Sequence, residues 1–226
     1  MDAHDEPREL RPSDIRYKSG GAVEEILNSL THAIGAGLAI AALIALLIQA
    51  GENPDPWKYV AYTMYGITQI ILYLSSALLH GFAPYPRIRR RLNRLDHASI
   101  YLLIAGTYTP LTLTALRGPW GWSLFGVIWG LALIGIVMKT WVLKPPHLAA
   151  DLLYLPMGWL IIVAIKPLLA AVPLAFLVWA VIGGVSYSVG VAFYAWHKLP
   201  FGHVIWHFFV LAGSASFFVA YSVYLL

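Results

Sequence analysis

The fold class this sequence predicts is all-α: a polytopic membrane protein with seven transmembrane helices. Three observations predict it. Charged residues make up only 12% of the 226 positions, about half of the quarter that soluble domains carry. Apolar residues reach 59%, with a mean hydropathy of +0.70. They are also gathered into long blocks that are nearly free of charge. A bilayer core about 30 Å thick needs roughly 20 helical residues at about 1.5 Å each. Seven such spans fit this chain and leave room for a tail and six short loops.

Residues 1–22 are expected to be a soluble tail. The first 26 residues hold seven acids and four bases, with no apolar run of the length that a cleavable leader needs. Residues 23–226 are expected to form one transmembrane domain, with helices at about 26–50, 57–80, 94–116, 121–142, 149–169, 174–197 and 204–226. Local chemistry sets the breaks. Gly51 to Pro56 is a polar turn, and Gly81 to Pro86 contains two prolines. Gly118 with Pro119, Pro145 with Pro146, Pro173 and Pro200 mark the later boundaries, because proline ends or kinks a helix. Pro110 and Pro156 fall inside spans and are candidates for kinks.

Charge is unevenly placed. Nine of the 11 acids lie at or before Asp55, and from residue 56 onward only Asp96 and Asp151 stand against 11 lysines and arginines. A net charge of +4 and a pI near 9.3 would fit a nucleic-acid binder. Here the bases lie between apolar spans, where topology and anionic lipid headgroups account for them, so no nucleic-acid partner is expected. The absence of cysteine excludes disulfides and thiolate metal sites.

With a cytoplasmic N-terminus, twelve of the 15 bases fall on the inner side. They are four in the tail, then Arg87, Arg89, Arg90, Arg91, Arg94, Lys139, Lys144 and Lys198. Lys58, Arg117 and Lys166 fall outside. The positive-inside rule then predicts N-terminus in and C-terminus out. The Arg87–Arg94 cluster reads first as a topology determinant and second as a place for anionic lipid phosphate.

This topology brings polar residues to one depth. Glu25, Asn28, Thr31 and His32 begin span one, Ser76 and His80 end span two, and Asp96 and His97 begin span three. Asp151 and Tyr154 begin span five, Tyr194 and His197 end span six, and His203 and His207 begin span seven. Ionisable groups within a membrane are costly and usually mark a functional site. His203 and His207 are spaced i, i+4, so they share a helix face about 6 Å apart and can grip one metal ion. His80 at the same depth can supply a third ligand. Three histidines leave the fourth tetrahedral position of zinc open for water, and zinc suits imidazole without needing a redox partner. Asp96 can bind the ion or, by preference, hold its water. Ser76, one turn before His80, can be a supporting donor.

Blander roles suit the other groups. His4, His147 and His197 read as interfacial side chains, His32 as a buried hydrogen-bond partner in preference to a ligand, and Asp151 as the partner of a base or of a helix N-terminus. The tryptophans and tyrosines read mostly as anchors at span ends. Gly35, Gly37, Gly183 and Gly184 read as sites of close helix packing.

Glu25 to His32, Ser76 to His80, Leu95-Asp96-His97, Gly106 to Pro110, Tyr154 to Trp159 and Gly202 to His207 together resemble the haemolysin-III-like proteins, the bacterial branch of the progestin and adiponectin receptor family. The resemblance covers essentially all of residues 24–226. It implies a seven-span, N-terminus-in protein of a bacterial plasma membrane, with zinc near the cytoplasmic face on His80, His203 and His207. It further implies that Asp96 is linked to zinc through water and that Ser76 is the family's span-two serine.

Three functions follow as expectations. The first is a zinc-dependent intramembrane hydrolase of a lipid amide or ester, ceramidase-like, in which Asp96 and Ser76 are catalytic and membrane lipids supply a ceramide-like or fatty-acyl substrate. The second is a sensor or regulator of membrane state in which zinc is structural. The third is the pore-forming cytolysin that the family name evokes, which the spans, suited to permanent residence in the producer's membrane, argue against. A retinal protein would need a lysine in its last helix, and the final lysine is Lys198, ahead of span seven.

Overall fold

The computed structural model describes residues 21–142, 153–196 and 198–225. Among these residues there are helices and the turns between them, and no strand. Helix α1 runs Gly21–Glu52, α2 Pro56–Gly81, α3 Pro86–Leu113 and α4 Pro119–Val137, continued by a π-helical turn at Met138–Val142. A broken span follows: α5 at Tyr154–Gly158, a 3₁₀ segment at Leu160–Ala164, and α6 at Ile165–Ala171. Helices α7, Leu174–Ala195, and α8, Gly202–Tyr224, complete the chain.

Starts and breaks have local causes. Proline occupies the first turn of α2, α3 and α4, where its missing N–H costs nothing and its fixed φ suits a helix. Asp55 caps α2, its carboxylate accepting from the Trp57 amide at 3.0 Å. Because Pro86 can begin a helix and arginine and leucine favour one, α3 starts eight residues ahead of the 94 read from apolar patterning. The fifth span gives way at Trp159 to the 3₁₀ segment, three residues after Pro156. Pro110 stays within α3, and its neighbours Thr107, Thr109 and Thr112 donate back to the carbonyls of Leu103, Ala105 and Tyr108, which keeps these polar groups satisfied away from water.

Among the described residues, six segments are long and apolar enough to cross a membrane: α1, α2, α4 with its π turn, the span from Tyr154 to Ala171, α7 and α8. Helix α3 is the seventh long helix and is less apolar for a physical reason. Its residues from Leu103 to Leu113 are almost all buried, so its threonines and tyrosines meet other helices instead of lipid. It packs on α2 and α4, and a Cβ at Gly106 would come within 1.9 Å of the Thr68 hydroxyl oxygen, so the α2–α3 contact requires glycine there. The lipid-facing side of α1 exposes Ile26, Ile34, Leu38, Ile44 and Ile48. Multi-pass insertion in a membrane is the arrangement that shields these faces from water.

Three packing regions fill the bundle. One end holds Leu46, Tyr62, Leu116, Phe176 and Tyr221, the middle holds Ala36, Leu72, Tyr73, Leu103 and Val210, and a third cluster of Tyr101, Tyr108, Ile128 and Met157 joins α3 and α4 to the broken span. The start of α1, the end of α2 and the starts of α3 and α8 form the other end, which is polar.

Candidate metal centre

Helix α8 supplies two of the three central side chains. A turn over residues 198–201 precedes α8, with Phe201 in the left-handed region at φ 57°. Gly202 packs so closely behind it that a Cβ would lie 3.2 Å from the Phe193 carbonyl oxygen. His203 and His207 therefore stand in the first turns of α8, one turn apart, with ring centroids 4.7 Å from each other. His80, in the last turn of α2, comes up to both, at 4.9 Å from His203 and 5.3 Å from His207 between centroids. The Nε2 atoms of His80 and His203 face each other at 3.2 Å. One ring nitrogen from each of the three histidines lies within 4.8 Å of the others. The three could hold a metal ion. His207 and His80 are buried, and His203 is half-buried.

What holds the rings decides which nitrogens are free. His80 Nδ1 lies 2.6 Å from Glu25 Oε2, and the other Glu25 oxygen accepts from Arg89 at 2.8 Å. His207 Nδ1 lies 3.0 Å from the Thr31 hydroxyl, which also lies 3.0 Å from the Asn28 carbonyl. A hydroxyl has one hydrogen. Thr31 satisfies all three groups by donating to the Asn28 carbonyl and accepting from His207 Nδ1–H. Both histidines then carry their proton on Nδ1 and present an Nε2 lone pair, the tautomer that second-sphere partners impose on metal-binding histidine.

A cavity of ≈ 240 Å³ opens from this cluster into the bundle. Ser76, Asp96, His97 and Tyr154 line it together with the three histidines, and Leu72, Leu103, Ile104, Val191, Val210 and Phe217 are among its apolar walls. Asp96 is on this wall but outside the set of mutually close metal-ligating atoms, which is three histidines and no carboxylate among the described residues. His32 is buried as expected, but it is not hydrogen-bonded among the described residues. Its ring stacks on His207 at 3.4 Å and 10° and meets Tyr73 edge-on at 5.1 Å. Asp151, His4, His147 and His197 lie outside the described residues.

Two features escaped sequence reasoning. Glu25 was placed at the right depth without a role, and Arg89 was read with its neighbours as a topology signal. The clue was available: a carboxylate at membrane depth needs a base. Lys139, also read as a topology residue, is 2% exposed and donates to the Tyr154 hydroxyl at 3.1 Å. That hydroxyl donates to the His97 carbonyl at 3.0 Å, which fixes one wall of the cavity.

With this geometry established, comparisons with known proteins extend it. A family model described as haemolysin-III related matches residues 21–218. Hemolysin-3 of Bacillus cereus is 49% identical over 203 residues, covering 90% of this chain and 92% of the relative. The Hemolysin-3 homolog of Bacillus subtilis is 47% identical over 195 residues, covering 86% and 91%. At greater distance, the human monocyte to macrophage differentiation factor is 26% identical over 222 residues, covering 95% and 89%. The family match takes in α1 to α7, most of α8 and all three clustered histidines, and the chain belongs to the haemolysin-III-related family of multi-pass integral membrane proteins.

Proposed function

We propose that this protein is a zinc-dependent intramembrane hydrolase acting on a lipid amide or ester. The observation that carries the reading is the convergence of three imidazole nitrogens at the polar mouth of a cavity that continues between apolar side chains. The donor set fits zinc: two nitrogens bound tetrahedrally at about 2.0–2.1 Å stand roughly 3.3 Å apart, and the His80–His203 spacing is 3.2 Å. Zinc in such a site supplies Lewis acidity, which acidifies water and polarises a carbonyl.

The chain's own residues do the rest. His80, His203 and His207 hold the ion, while Glu25 and Thr31 fix two of the rings. Asp96 holds the attacking water by hydrogen bond, takes its proton as the water oxygen bonds to the carbonyl carbon, and passes that proton to the amine or alcohol as the C–N or C–O bond breaks. Ser76 donates to the carbonyl oxygen as negative charge develops there. Apolar walls take the acyl chain, and the headgroup stays at the mouth. The Lys and Arg distribution supports placing that mouth at the cytoplasmic leaflet, and the Bacillus relatives support a bacterial plasma membrane.

Metal analysis followed by an untargeted lipid turnover assay tests the proposal. Wild type should carry about one equivalent of zinc, as one three-histidine site requires, and His203→Ala should lose it. Released fatty acid should vanish in His80→Ala and Asp96→Ala. Zinc-loaded protein that turns over no acyl amide or ester would sink the enzyme reading, as would unchanged turnover in Asp96→Ala.

A second reading has its own observation. The cluster joins α2 to α8, and Glu25 ties α1 to both α2 and α3, so zinc here can be a clamp serving a regulator of membrane state. Chelation would then lower the melting temperature, because binding to the native state stabilises it, with no turnover to lose. The name of the Bacillus relatives evokes lysis, and leakage of liposomes exposed to added protein tests that separately.

A further inference from the structure

The first three turns of α3 carry two different faces. At 100° per residue, Arg89, Asn93, Asp96 and Ile100 fall on one side, and all four line the cavity. Arg87, Arg90, Arg91 and Arg94 fall together on another arc about 100° wide, and all four are exposed. Beside them, Ile88 and Leu95 are also exposed, and Tyr85 and Phe82 precede them on the surface. A row of arginines next to exposed aliphatic and aromatic side chains, at the end of a membrane-crossing helix, is the composition of a membrane-water boundary. Among the described residues no acid is recorded in an ion pair with Arg90, Arg91 or Arg94. The acid on this helix, Asp96, is on the cavity face.

We infer that the outer arginine face of α3 binds the phosphates of anionic phospholipids, and that lipid bound there tightens the histidine site through Arg89 and Glu25. Guanidinium matches phosphate in fork geometry, and a negatively charged leaflet attracts basic segments placed at its surface. The link to the site is short. Arg89 sits on the turn that carries Arg90 and Arg91, and it donates to Glu25 at 2.8 Å. The same carboxylate is 2.6 Å from His80 Nδ1. Fixing the first turns of α3 against the lipid surface therefore fixes the guanidinium that orients Glu25, and with it the His80 ring. The surface stands on the exposed arginines alone; its effect on metal binding rests on the zinc reading above.

The test places purified full-length protein in nanodiscs of phosphatidylcholine, with or without phosphatidylglycerol. Melting temperature is followed, and zinc affinity is measured by competition with a chromophoric chelator. Phosphatidylglycerol should raise the melting temperature by several degrees and tighten zinc severalfold. The Arg90→Gln, Arg91→Gln, Arg94→Gln triple variant should match wild type in phosphatidylcholine and lose both responses. The corresponding triple lysine variant keeps the charge, and with it the topology signal, and should keep most of the response. Arg89→Gln should weaken zinc about tenfold in either lipid, the usual size of a second-sphere loss. Equal behaviour of wild type in the two lipids overturns the inference, and so does an equal gain from inorganic phosphate added to phosphatidylcholine discs. A melting response to phosphatidylglycerol with no zinc bound in any lipid refutes the coupling and the metal reading while leaving the lipid surface standing.

Discussion

The two ends of this bundle hold an arginine–carboxylate pair each, and the pairs do different work. At one end Arg117 meets Asp55 at 3.1 Å, with side chains 41% and 28% exposed. At the other Arg89 meets Glu25 at 2.8 Å, with side chains 28% and 9% exposed. The Asp55 end is already held by packing: Tyr62, Phe176 and Tyr221 are almost wholly buried among Leu46, Leu116 and Leu168. The Glu25 end has histidines and a cavity, and hydrogen bonds between helices hold two of its rings. An ion pair near solvent that supplements a packed core adds little. A buried one that substitutes for a core sets the structure around it.

The largest effect that could break this comparison is at Glu25. Glu25→Ala leaves the half-buried Arg89 without its carboxylate and the buried His80 Nδ1 without its acceptor. Destabilisation of about 3–5 kcal/mol is expected from stranding one member of a buried pair. Zinc affinity should fall about 10–100-fold in the same variant. Fluorescence-monitored melting and chelator competition read the two effects separately. Loss of affinity without loss of stability would show that the polar end is not held by this pair.

At the packed end the prediction is the opposite separation. Phe176, 1% exposed, lies 6.0 Å from the Tyr221 ring. Phe176→Ala should cost about 3 kcal/mol by loss of contact and an unfilled cavity. Zinc affinity should stay at the wild-type value, because nothing in that cluster touches the histidines. A change in zinc binding would mean that the two ends are mechanically joined along the helices.

A smaller effect sharpens the account of the polar end. Thr31→Val keeps the shape and removes the acceptor for His207 Nδ1–H. Zinc should bind about tenfold more weakly, or about 1.4 kcal/mol, and the zinc-free protein should lose about 1–3 kcal/mol, because the buried Nδ1–H is left without a partner. Unchanged affinity would show that the stack on His32 alone positions the His207 ring.

How much of this was legible in the sequence differs by end and by kind of interaction. The i, i+4 spacing of His203 and His207 is local, so it could be read directly, and topology alone brought His80 to their depth. The Glu25–Arg89 contact could not be read, because it spans 64 positions and depends on how α1 and α3 are rotated about their axes. The same is true of His32, whose ring lies flat on His207; depth is visible in a sequence but facing is not. Helix α3 shows another limit. Apolar patterning starts it at 94, while proline and arginine extend it back to Pro86, and its arginines, Asp96, threonines and tyrosines keep it out of the six most apolar segments although its second half is almost all buried. Hydropathy measures contact with lipid, and a central helix has little.

The smallest effect is the most discriminating. Asp55→Asn keeps an oxygen to cap the Trp57 amide, since asparagine and aspartate are equivalent N-caps, and removes only the charge that faces Arg117. The change should cost about 0–1 kcal/mol, and salt should shrink even that, because charges near solvent are screened. Glu25→Gln, the matched change at the buried pair, likewise keeps an oxygen for His80 and removes the charge that faces Arg89. Its cost should be several times larger and nearly independent of salt. Melting curves of both variants at low and high ionic strength compare the pairs directly. If the two costs are equal, or if salt moves both alike, burial does not separate the ends and the hydrogen bonds around the histidines are no stronger than those at the surface.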